Sequence, residues 1–316
     1  MIQARSRQET GEPVDSVCTI GSYDGIHRAH QKIISEVRER ARMLGMRSVV
    51  ITFDPHPKEV VKSDKGAVEL LTTLDDRISI FQKMNIDVLF IIPFTYEFSR
   101  LTSEEFYKHY IVDGLGAKEV VVGYDHMFGR DRQSDIKDII DLGNRFGFSV
   151  HTVPPYYVGE EIVSSTKIRK LLREGNVERA AEFLGWTYSF RGKVVRGDGR
   201  GASIGFPTAN VIPVHEKKLV PGKGVYFVTG DVAGQKIPGM MNIGTRPTFK
   251  NDGQVVMEVH FLNDVGELYD TQIDLSFYRK LRDEQKFDSP EKLIHTLQAD
   301  KRRCIELAEN FSKNNI

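Results

Sequence analysis

The first candidate site is a glycine-containing segment that joins a predicted strand to a predicted helix early in the chain. Gly21 and Gly25 lie on either side of Asp24 in this segment. Glycine lets the backbone approach a ligand closely, and the N-terminus of the following helix presents unpaired N–H groups suited to phosphate. The segment therefore predicts a binding site for the phosphates of a nucleotide.

Two histidines at the start of that helix bring chemistry to the same place. His27 and His30 are three residues apart, so they face one side of the first helical turn. Two imidazoles there can stabilise charge that builds on a nucleotide's phosphates. The H-E-x-x-H pattern of a zinc protease is missing, which leaves a metal site as the minority alternative. Capping or surface positions for both rings also remain open.

A second candidate site is a polar segment that opens a later helix. Ser165 and Thr166 offer hydroxyls near the cap, and Lys167 and Arg169 follow within one turn. Hydroxyls, N–H groups at a helix start and two cations together make a cradle for a triphosphate. The alternative interpretation is a well-capped helix with no ligand.

Two loops that follow predicted strands complete the candidates in the first half. The segment 123–130 carries aromatic side chains, the carboxylate of Asp125 and a cation, a combination suited to a planar polar ligand. His56 lies between two prolines after another strand, where it either faces a ligand or is structural. The sequence contains no Walker A pattern, so nucleotide binding would not use a P-loop.

The second half contains a glycine-rich segment at 197–210. Gly197, Gly199 and Ala202 fit a dinucleotide-binding fingerprint by chance, but no helix can continue through Gly205 and Pro207. A glycine-rich loop of this kind can instead fold over phosphates with its backbone amides. A β-turn without a ligand is the alternative.

Oxygen ligands and a carboxylate lie near this glycine-rich segment. Thr208 and Asn210 alternate onto one face of an extended strand, and their oxygens suit Mg²⁺ held jointly with nucleotide phosphates. Glu258 lies inside an apolar strand, where it can accept a proton from an attacking hydroxyl. Its position fits a solvent-facing side chain equally well.

Alternating strands and helices must position the residues of the first half. Apolar, β-rich runs predict strands and amphipathic runs predict helices. The predicted strands are 14–20, 47–53, 88–92, 119–123 and 148–153, and the predicted helices are 29–44, 74–84, 103–112, 136–146, 167–174 and 177–184. This alternation predicts an α/β domain with a parallel sheet that binds ligands at the carboxyl ends of its strands.

The pattern changes after residue 186. Short β-rich runs separated by glycine-rich turns predict a small antiparallel barrel or sandwich, followed by an amphipathic helix at 290–310. The β-rich runs are 190–195, 225–232, 255–262 and 273–277. The sequence therefore predicts two domains, 1–186 and 187–316.

Composition limits the possible partners of the chain. Its 316 residues include 44 Lys+Arg and 44 Asp+Glu. This balance argues against sequence-independent binding to the phosphate backbone of nucleic acids, which normally needs an excess of basic residues. Cys18 and Cys304 are far apart and form no C-x-x-C pair, which argues against a disulfide scaffold or a thiolate zinc site. Without a signal peptide or a membrane-spanning run, we expect a soluble cytoplasmic protein. The sequence does not specify an oligomeric state.

Together these segments resemble the bacterial bifunctional riboflavin kinase/FAD synthetase (FMN adenylyltransferase) family, over about residues 17–297. The resemblance implies a nucleotidyltransferase-type, Rossmann-like α/β domain that transfers AMP from ATP to FMN. It further implies a small antiparallel β-barrel with a C-terminal helix that phosphorylates riboflavin. The resemblance also implies that the enzyme uses Mg²⁺ as its cofactor. Its partners would be the small molecules ATP, riboflavin and FMN, and it would bind neither nucleic acid nor a membrane.

The resemblance also assigns roles to single residues. It makes His27 and His30 the residues of adenylyl transfer and Glu258 the base that acts on the riboflavin 5′-hydroxyl. It places Mg²⁺ at Thr208 and Asn210. The residues it implies for nucleotide binding are Gly21, Asp24, Gly25, Ser165, Thr166, Arg169, Gly199, Gly201 and Gly205, and those for flavin binding are Asp125, Arg282 and Phe287.

Most departures from the family pattern fall in the first half. Ala29 stands where the family usually has glycine, His126 where phenylalanine is common, and Ser134 replaces a frequent glycine. The kinase segments are nearly intact, apart from Asp270 where glycine often occurs. Two alternatives to the bifunctional enzyme therefore remain open. One is a paralogue with a single activity, the kinase being the better supported, and the other is a non-catalytic protein that senses flavin or nucleotide.

Overall fold

The structure, a computed structural model, describes residues 1–61, 68–124, 126, 135–197, 201, 204–245 and 255–314. Contacts divide the chain into two compact units, Met1–Ser165 and Thr166–Ile316. The predicted site residues Asp125 and Gly199, and the departure at Ser134, lie outside the described residues.

The first unit alternates strands and helices, as the sequence predicts. Its strands are β1 (Ile2–Ala4), β2 (Ser16–Ile20), β3 (Arg47–Asp54), β4 (Val88–Pro93), β5 (Ala117–Gly123), β6 (Ser149–Val153), β7 (Tyr157–Val158) and β8 (Glu161–Ile162). Its helices are α1 (Arg28–Leu44), α2 (Pro57–Val60), α3 (Leu74–Lys83), α4 (Tyr96–Ser99), α5 (Ser103–Phe106), α6 (Asp113–Leu115) and α7 (Ile136–Phe146). The predicted helix 103–112 begins as α5 and continues as a π-helical turn, Tyr107–Val112.

Within the described residues, six parallel strands form one sheet in the order β1-β4-β3-β2-β5-β6. From β2 the chain moves to one side through β3 and β4, and then returns to the other side of β2 as β5. The point where the direction reverses therefore lies between β2 and β5. In open α/β sheets, ligands bind outside the carboxyl ends of the strands at such a switch point.

Both faces of this sheet are covered, which explains the apolar strands. All residues of β2 are buried, and its side chains alternate between two clusters. Cys18 and Ile20 pack on one face with Phe106, whereas Val17 packs on the other with Val37 of α1. A parallel sheet buried on both faces needs near-continuous apolar strands, so the strand signal was strong.

The second unit contains two helices, a barrel and a last helix. Its elements are α8 (Ser165–Arg173), α9 (Val177–Leu184), β9 (Ser189–Val195), β10 (Ala209–Pro213), β11 (Gly224–Val232), β12 (Gln235–Thr245), β13 (Val255–Phe261), β14 (Gln272–Arg282) and α10 (Pro290–Asn314). The two short helices pack with the barrel: the Gly222 amide donates to the Leu172 carbonyl (2.8 Å), and Arg279 pairs with Glu178 (2.8 Å).

The described strands of this unit close into an antiparallel barrel in the order β10-β13-β12-β11-β14-β9. Helix α10 covers part of its outer surface. There Cys304 joins a buried cluster with Phe227 and Met240, which come from β11 and β12. The barrel alternative of the sequence prediction is thus confirmed, together with the C-terminal helix.

Five of the described strands were not predicted from the sequence. β1, β7 and β8 are only two or three residues long, β10 follows directly on a Gly/Pro-rich stretch, and β12 contains Pro238, Gly239 and Gly244. Proline and glycine normally mark turns, so local composition hid a strand that barrel pairing stabilises.

None of the helices in the described ranges combines the length and the apolar character needed to cross a lipid bilayer.

Candidate functional sites

The loop between β2 and α1, at the switch point, follows a constrained backbone path. Tyr23 and Ile26 have positive φ angles of 47° and 35°, next to Gly25 at 91°. Such a backbone costs a residue with a Cβ about 1–2 kcal/mol. Burial offsets this cost, because the side chains of Tyr23 and Ile26 are 2% and 0% exposed and share a cluster with Phe81. The fold therefore fixes the shape of this loop.

Gly21 allows an aromatic ring to lie over the start of the loop. A Cβ at this position would come within 3.1 Å of the Tyr23 ring. The hydroxyl of Tyr23 in turn shares a hydrogen bond with that of Thr19 (2.7 Å). Packing against Tyr23 is thus one physical reason for glycine here, and contact with phosphate stays a prediction.

Asp24 fixes the middle of the loop. Its carboxylate is buried and accepts hydrogen bonds from the backbone amides of Thr72 (2.8 Å) and Leu71 (3.2 Å). The Thr72 hydroxyl accepts from the Gly25 amide (2.7 Å), and the Ser165 hydroxyl donates to the Asp24 carbonyl (2.9 Å). These contacts give Asp24 and Ser165 a positioning role, and their predicted contacts with a nucleotide remain untested.

The two predicted histidines lie together at the start of α1. His27 is the N-cap residue, and its Nδ1 accepts from the His30 amide (3.4 Å). The two rings stack with centroids 3.6 Å apart and planes inclined by 13°. The capping interpretation is therefore confirmed for His27. A cap does not exclude catalysis, because the ring still lies at the end of the helix that suits phosphate.

The stacked pair cannot carry two charges. Burial and then the neighbouring His27 ring lower the pKa of His30 well below its ordinary value. His30 is therefore neutral near pH 7. Its Nδ1 atom is buried and has no hydrogen-bond partner in the described part of the chain.

Arg77 of α3 packs against the loop between β2 and α1, and the sequence does not predict this contact. Its guanidinium donates from Nη1 to the carbonyls of Ser22 (3.1 Å) and Phe53 (3.0 Å) and to the Thr52 hydroxyl (2.8 Å). Its side chain is buried, and burial lowers its pKa. One buried cation thus joins the carboxyl ends of β2 and β3. Its position in an amphipathic helix gave no signal that it turns inward.

The loops at the ends of the neighbouring strands differ in character. His56 caps α2, because its Nδ1 accepts from the Lys58 amide (3.2 Å), and this contact supports the structural alternative. After β5, the His126 amide donates to the Gly123 carbonyl (3.1 Å). Burial lowers the pKa of His126 to about 4, so its ring is neutral at pH 7. A neutral ring is the closest substitute that histidine offers for the phenylalanine of the family.

The remaining nucleotide candidates lie on α8. Thr166 is exposed and Arg169 is half-buried, and both belong to the second unit. The two residues are three positions apart on one helix and therefore share a face. Their role toward a triphosphate stays a prediction.

In the barrel, two described glycines of the glycine-rich segment lie close to the predicted metal ligands. A Cβ at Gly197 would overlap the side-chain amide of Asn210, and one at Gly201 would lie 3.3 Å from the Thr208 hydroxyl. Gly205 has a φ of 80° and faces open space, so backbone conformation alone requires glycine there. The segment thus brings backbone next to Thr208 and Asn210, as a phosphate-binding loop requires.

Three polar residues form a row across neighbouring barrel strands. Glu258 of β13 is the cross-strand partner of Asn210 in β10 and of Asn242 in β12. Directly opposed residues have Cβ atoms about 4.5–5.5 Å apart and share a face of the sheet. All three are half-buried. The register therefore brings the predicted base beside a predicted metal ligand. The sequence assigns no role to Asn242, because β12 itself is not predicted.

The end of β14 and the loop after it lie near β12, and the resemblance links residues of this region, Arg282 and Phe287, to flavin binding. A Cβ at Gly244, two residues beyond Asn242 in β12, would overlap the Glu284 carboxylate. Arg282 pairs with the buried Asp300 of α10 (2.9 Å), and its guanidinium lies over the Phe287 ring at 5.8 Å. Arg282 therefore joins β14 to α10 and holds Phe287. Contact of Arg282 and Phe287 with flavin stays a prediction.

The donor chemistry of the barrel suits a divalent cation shared with phosphate. Thr208 and Asn210 offer a hydroxyl and an amide oxygen, which are ligands that Mg²⁺ accepts. Among the described residues, no group of three or more His, Cys, Asp or Glu side chains could hold a metal ion.

A parallel α/β sheet with a fixed loop at its switch point, followed by a closed antiparallel barrel with a carboxylate beside two asparagines, is an arrangement that suits an enzyme with two phosphate-transfer domains. The FAD synthetase family model matches residues 9–167, and the riboflavin kinase family model matches residues 184–308. The chain belongs to the bifunctional riboflavin kinase/FMN adenylyltransferase family and contains both enzyme domains.

Similar proteins match over nearly their whole length. The bifunctional riboflavin kinase/FMN adenylyltransferase of Listeria monocytogenes is 36% identical, covering 91% of this chain and 90% of its own. The protein of the same name from Bacillus subtilis is 34% identical, with 96% and 95% covered. A solved structure from Streptococcus pneumoniae, described as a macrolide-efflux protein, is 31% identical with a TM-score of 0.86, covering 96% of this chain and 98% of its own.

Proposed function

We propose that the barrel phosphorylates riboflavin to FMN with ATP, and that the α/β unit then transfers AMP from a second ATP to FMN. The observation that carries the kinase assignment is the row of Asn210, Glu258 and Asn242, because it places a carboxylate beside oxygen ligands and a glycine-rich loop. The names of the relatives supply the substrates, and the family match covers both halves.

In the kinase reaction, the riboflavin 5′-hydroxyl attacks the terminal phosphorus of ATP, and ADP leaves. Glu258 accepts the hydroxyl proton, and Asn242 orients the Glu258 carboxylate from the neighbouring strand. Thr208 and Asn210 would hold Mg²⁺ together with the ATP phosphates, and the cation would neutralise charge on them. Backbone amides of the glycine-rich segment, including Gly199, Gly201 and Gly205, bind the same phosphates.

In the adenylyl transfer, a phosphate oxygen of FMN attacks the α-phosphorus of ATP, and pyrophosphate leaves. His27, His30 and the first amides of α1 stabilise the charge that develops on the phosphates. The loop of Gly21, Asp24 and Gly25 is held by the fold before ATP arrives. Neither reaction needs a covalent enzyme intermediate, so alignment and electrostatic stabilisation account for catalysis.

We further propose roles for residues around the two sites and the boundaries of the two domains. Ser165, Thr166 and Arg169 act on the triphosphate, and Arg282, Phe287 and Asp125 act on flavin. The catalytic domains are 1–186 and 187–316, with the helices α8 and α9 in the first of them, although the compact units part at Ser165. The location is the cytoplasm, where two unpaired, buried cysteines are ordinary.

A product assay tests the proposal. The full chain is incubated with riboflavin, ATP and Mg²⁺, and flavins are separated by chromatography over time. We expect FMN to form first and FAD to follow. FMN without FAD would support the paralogue that retains only the kinase. No conversion of riboflavin or of added FMN would contradict the proposal and favour a non-catalytic flavin- or nucleotide-sensing protein.

A further inference from the structure

His260 connects the strand of the catalytic carboxylate to the segment that precedes the metal ligands. It lies two residues after Glu258 in β13, on the same face of the strand. Its Nδ1 lies 2.8 Å from the Pro207 carbonyl, and its ring lies 5.2 Å from the Phe206 ring. Since a carbonyl only accepts, Nδ1 carries the proton and donates it. The side chain is 5% exposed.

The segment Phe206–Thr208, which His260 contacts, makes few backbone hydrogen bonds of its own among the described residues. Pro207 has no backbone N–H to offer a neighbouring strand, and Thr208 precedes the first residue of β10. Phe206 is anchored on one side, because its amide donates to the Gly201 carbonyl (2.9 Å). On the other side, the Pro207 carbonyl bonds to His260 immediately before Thr208. His260 thus holds the backbone immediately before Thr208, the first of the two predicted metal ligands.

The surroundings keep this histidine neutral and oriented. Burial lowers the pKa of His260 below its ordinary value, although the hydrogen bond to the Pro207 carbonyl acts in the opposite direction. The nearby Lys301, which lies over the Phe206 ring at 5.8 Å, also lowers this pKa. Met240 is its cross-strand partner in β12. His260 Nε2 is buried without a hydrogen-bond partner in the described part of the chain. One nitrogen therefore anchors the segment, and the ring fills an apolar site.

We propose that His260 is a positioning residue of the kinase site, which holds the Pro207 carbonyl so that Thr208 and Asn210 meet the nucleotide beside Glu258. β13 then carries both the base and the anchor of the nucleotide segment, which fixes the distance between them. This inference rests on the proposed kinase function for its effect on activity, but not for its effect on the segment.

Asn and Leu at position 260 form a matched pair for the test. The two side chains have nearly the same shape, and both remove the ring that packs on Phe206. Only the asparagine amide can donate a hydrogen bond from the place of Nδ1. If His260 only fills this apolar site, His260→Leu should retain at least as much kinase activity as His260→Asn. If His260 positions the segment, His260→Asn should retain more kinase activity than His260→Leu.

The measurements are the kinetic constants of FMN formation and hydrogen–deuterium exchange of the full chain. We expect His260→Leu to raise the KM for ATP about tenfold, the effect of one lost hydrogen bond, and to leave the KM for riboflavin within about twofold. His260→Asn should stay within about threefold of wild type. A peptide spanning 204–210 should exchange faster in His260→Leu than in His260→Asn.

Equal constants and equal exchange in the two variants would overturn the proposal. FAD formation from added FMN controls for the amount of active protein, and hydrogen–deuterium exchange of barrel peptides outside 204–210, which should match wild type in both variants, controls for folding of the barrel. If wild type forms no FMN, the kinase function is wrong, while the exchange comparison still decides whether His260 holds the segment.

Discussion

Glu258 and Asn210 are direct partners across the antiparallel strands β13 and β10. They lie 48 positions apart in the sequence, so only the register of the barrel brings them together. The pairing places the proposed general base next to an oxygen ligand of the proposed Mg²⁺–ATP site. Because direct partners share a face of the sheet, a one-residue slip of either strand would point the two side chains to opposite faces.

Replacing Glu258 by Gln should abolish the kinase reaction selectively. The amide keeps the shape of the side chain but cannot accept the proton, so FMN formation should fall by at least about a hundredfold. FAD formation from added FMN should remain near wild type. The exposed Glu267 provides the matched control, and Glu267→Gln should leave both rates unchanged. Riboflavin phosphorylation by Glu258→Gln near the wild-type rate would refute the base assignment.

Replacing His27 by Ala should act on the other reaction. The change removes the stacked ring beside His30 and the acceptor at the start of α1, so FAD formation should fall about a hundredfold. FMN formation should be spared. His109→Ala is the control, because that ring is exposed on the surface of the same unit. An equal loss of both activities would indicate misfolding rather than a catalytic role.

Arg77→Met should weaken the first unit and its activity together. The substitution leaves the carbonyls of Ser22 and Phe53 without their buried donor, which we expect to cost about 3 kcal/mol of unfolding free energy. FAD formation should fall as the loop loses its support. The exposed ion pair of Arg145 with Glu104 provides the comparison, and Arg145→Met should cost less than about 1 kcal/mol. Equal thermal shifts in both variants would contradict the anchoring role.

His126 should make the protein sensitive to acid. Its pKa in the fold, about 4, lies below that of an unfolded histidine, about 6.5. The fold favours the neutral ring, so this stabilisation is complete above the unfolded pKa and is lost as the pH falls from there toward about 4. The loss approaches about 1.4 kcal/mol per pH unit. His126→Phe should reduce the drop in Tm between about pH 7.5 and about pH 5. A drop as large as that of wild type would contradict the buried, neutral ring.

The sequence was most informative where local signals agree with the fold. The helix predicted near 136–146 is observed at Ile136–Phe146, where an amphipathic pattern lies between the cap Asp135 and the left-handed Gly147. The buried strands of the sheet were equally plain. Strand β12 was missed because its proline and glycines are turn residues in isolation, and pairing with β11 and β13 overrides them.

The candidate site residues also divide into those that a local motif indicates and those that only the fold indicates. His27, His30, Asn210 and Glu258 belong to short motifs, and the sequence brought them forward. The contacts of Arg77 and the proposed roles of Asn242 and His260 depend on segments that are distant in the sequence, so no local pattern assigns these roles. A buried arginine in a helix resembles any surface arginine until the packing of that helix is known.

A mixing experiment tests most directly that one chain contains two separate sites of flavin phosphate chemistry. Glu258→Gln and His27→Ala are incubated with riboflavin, ATP and Mg²⁺, first apart and then together, and FAD is measured by chromatography. We predict that Glu258→Gln alone yields neither FMN nor FAD, that His27→Ala alone yields FMN, and that the mixture yields FAD. Formation of FAD from riboflavin by Glu258→Gln alone, or a mixture that stops at FMN, would contradict this account.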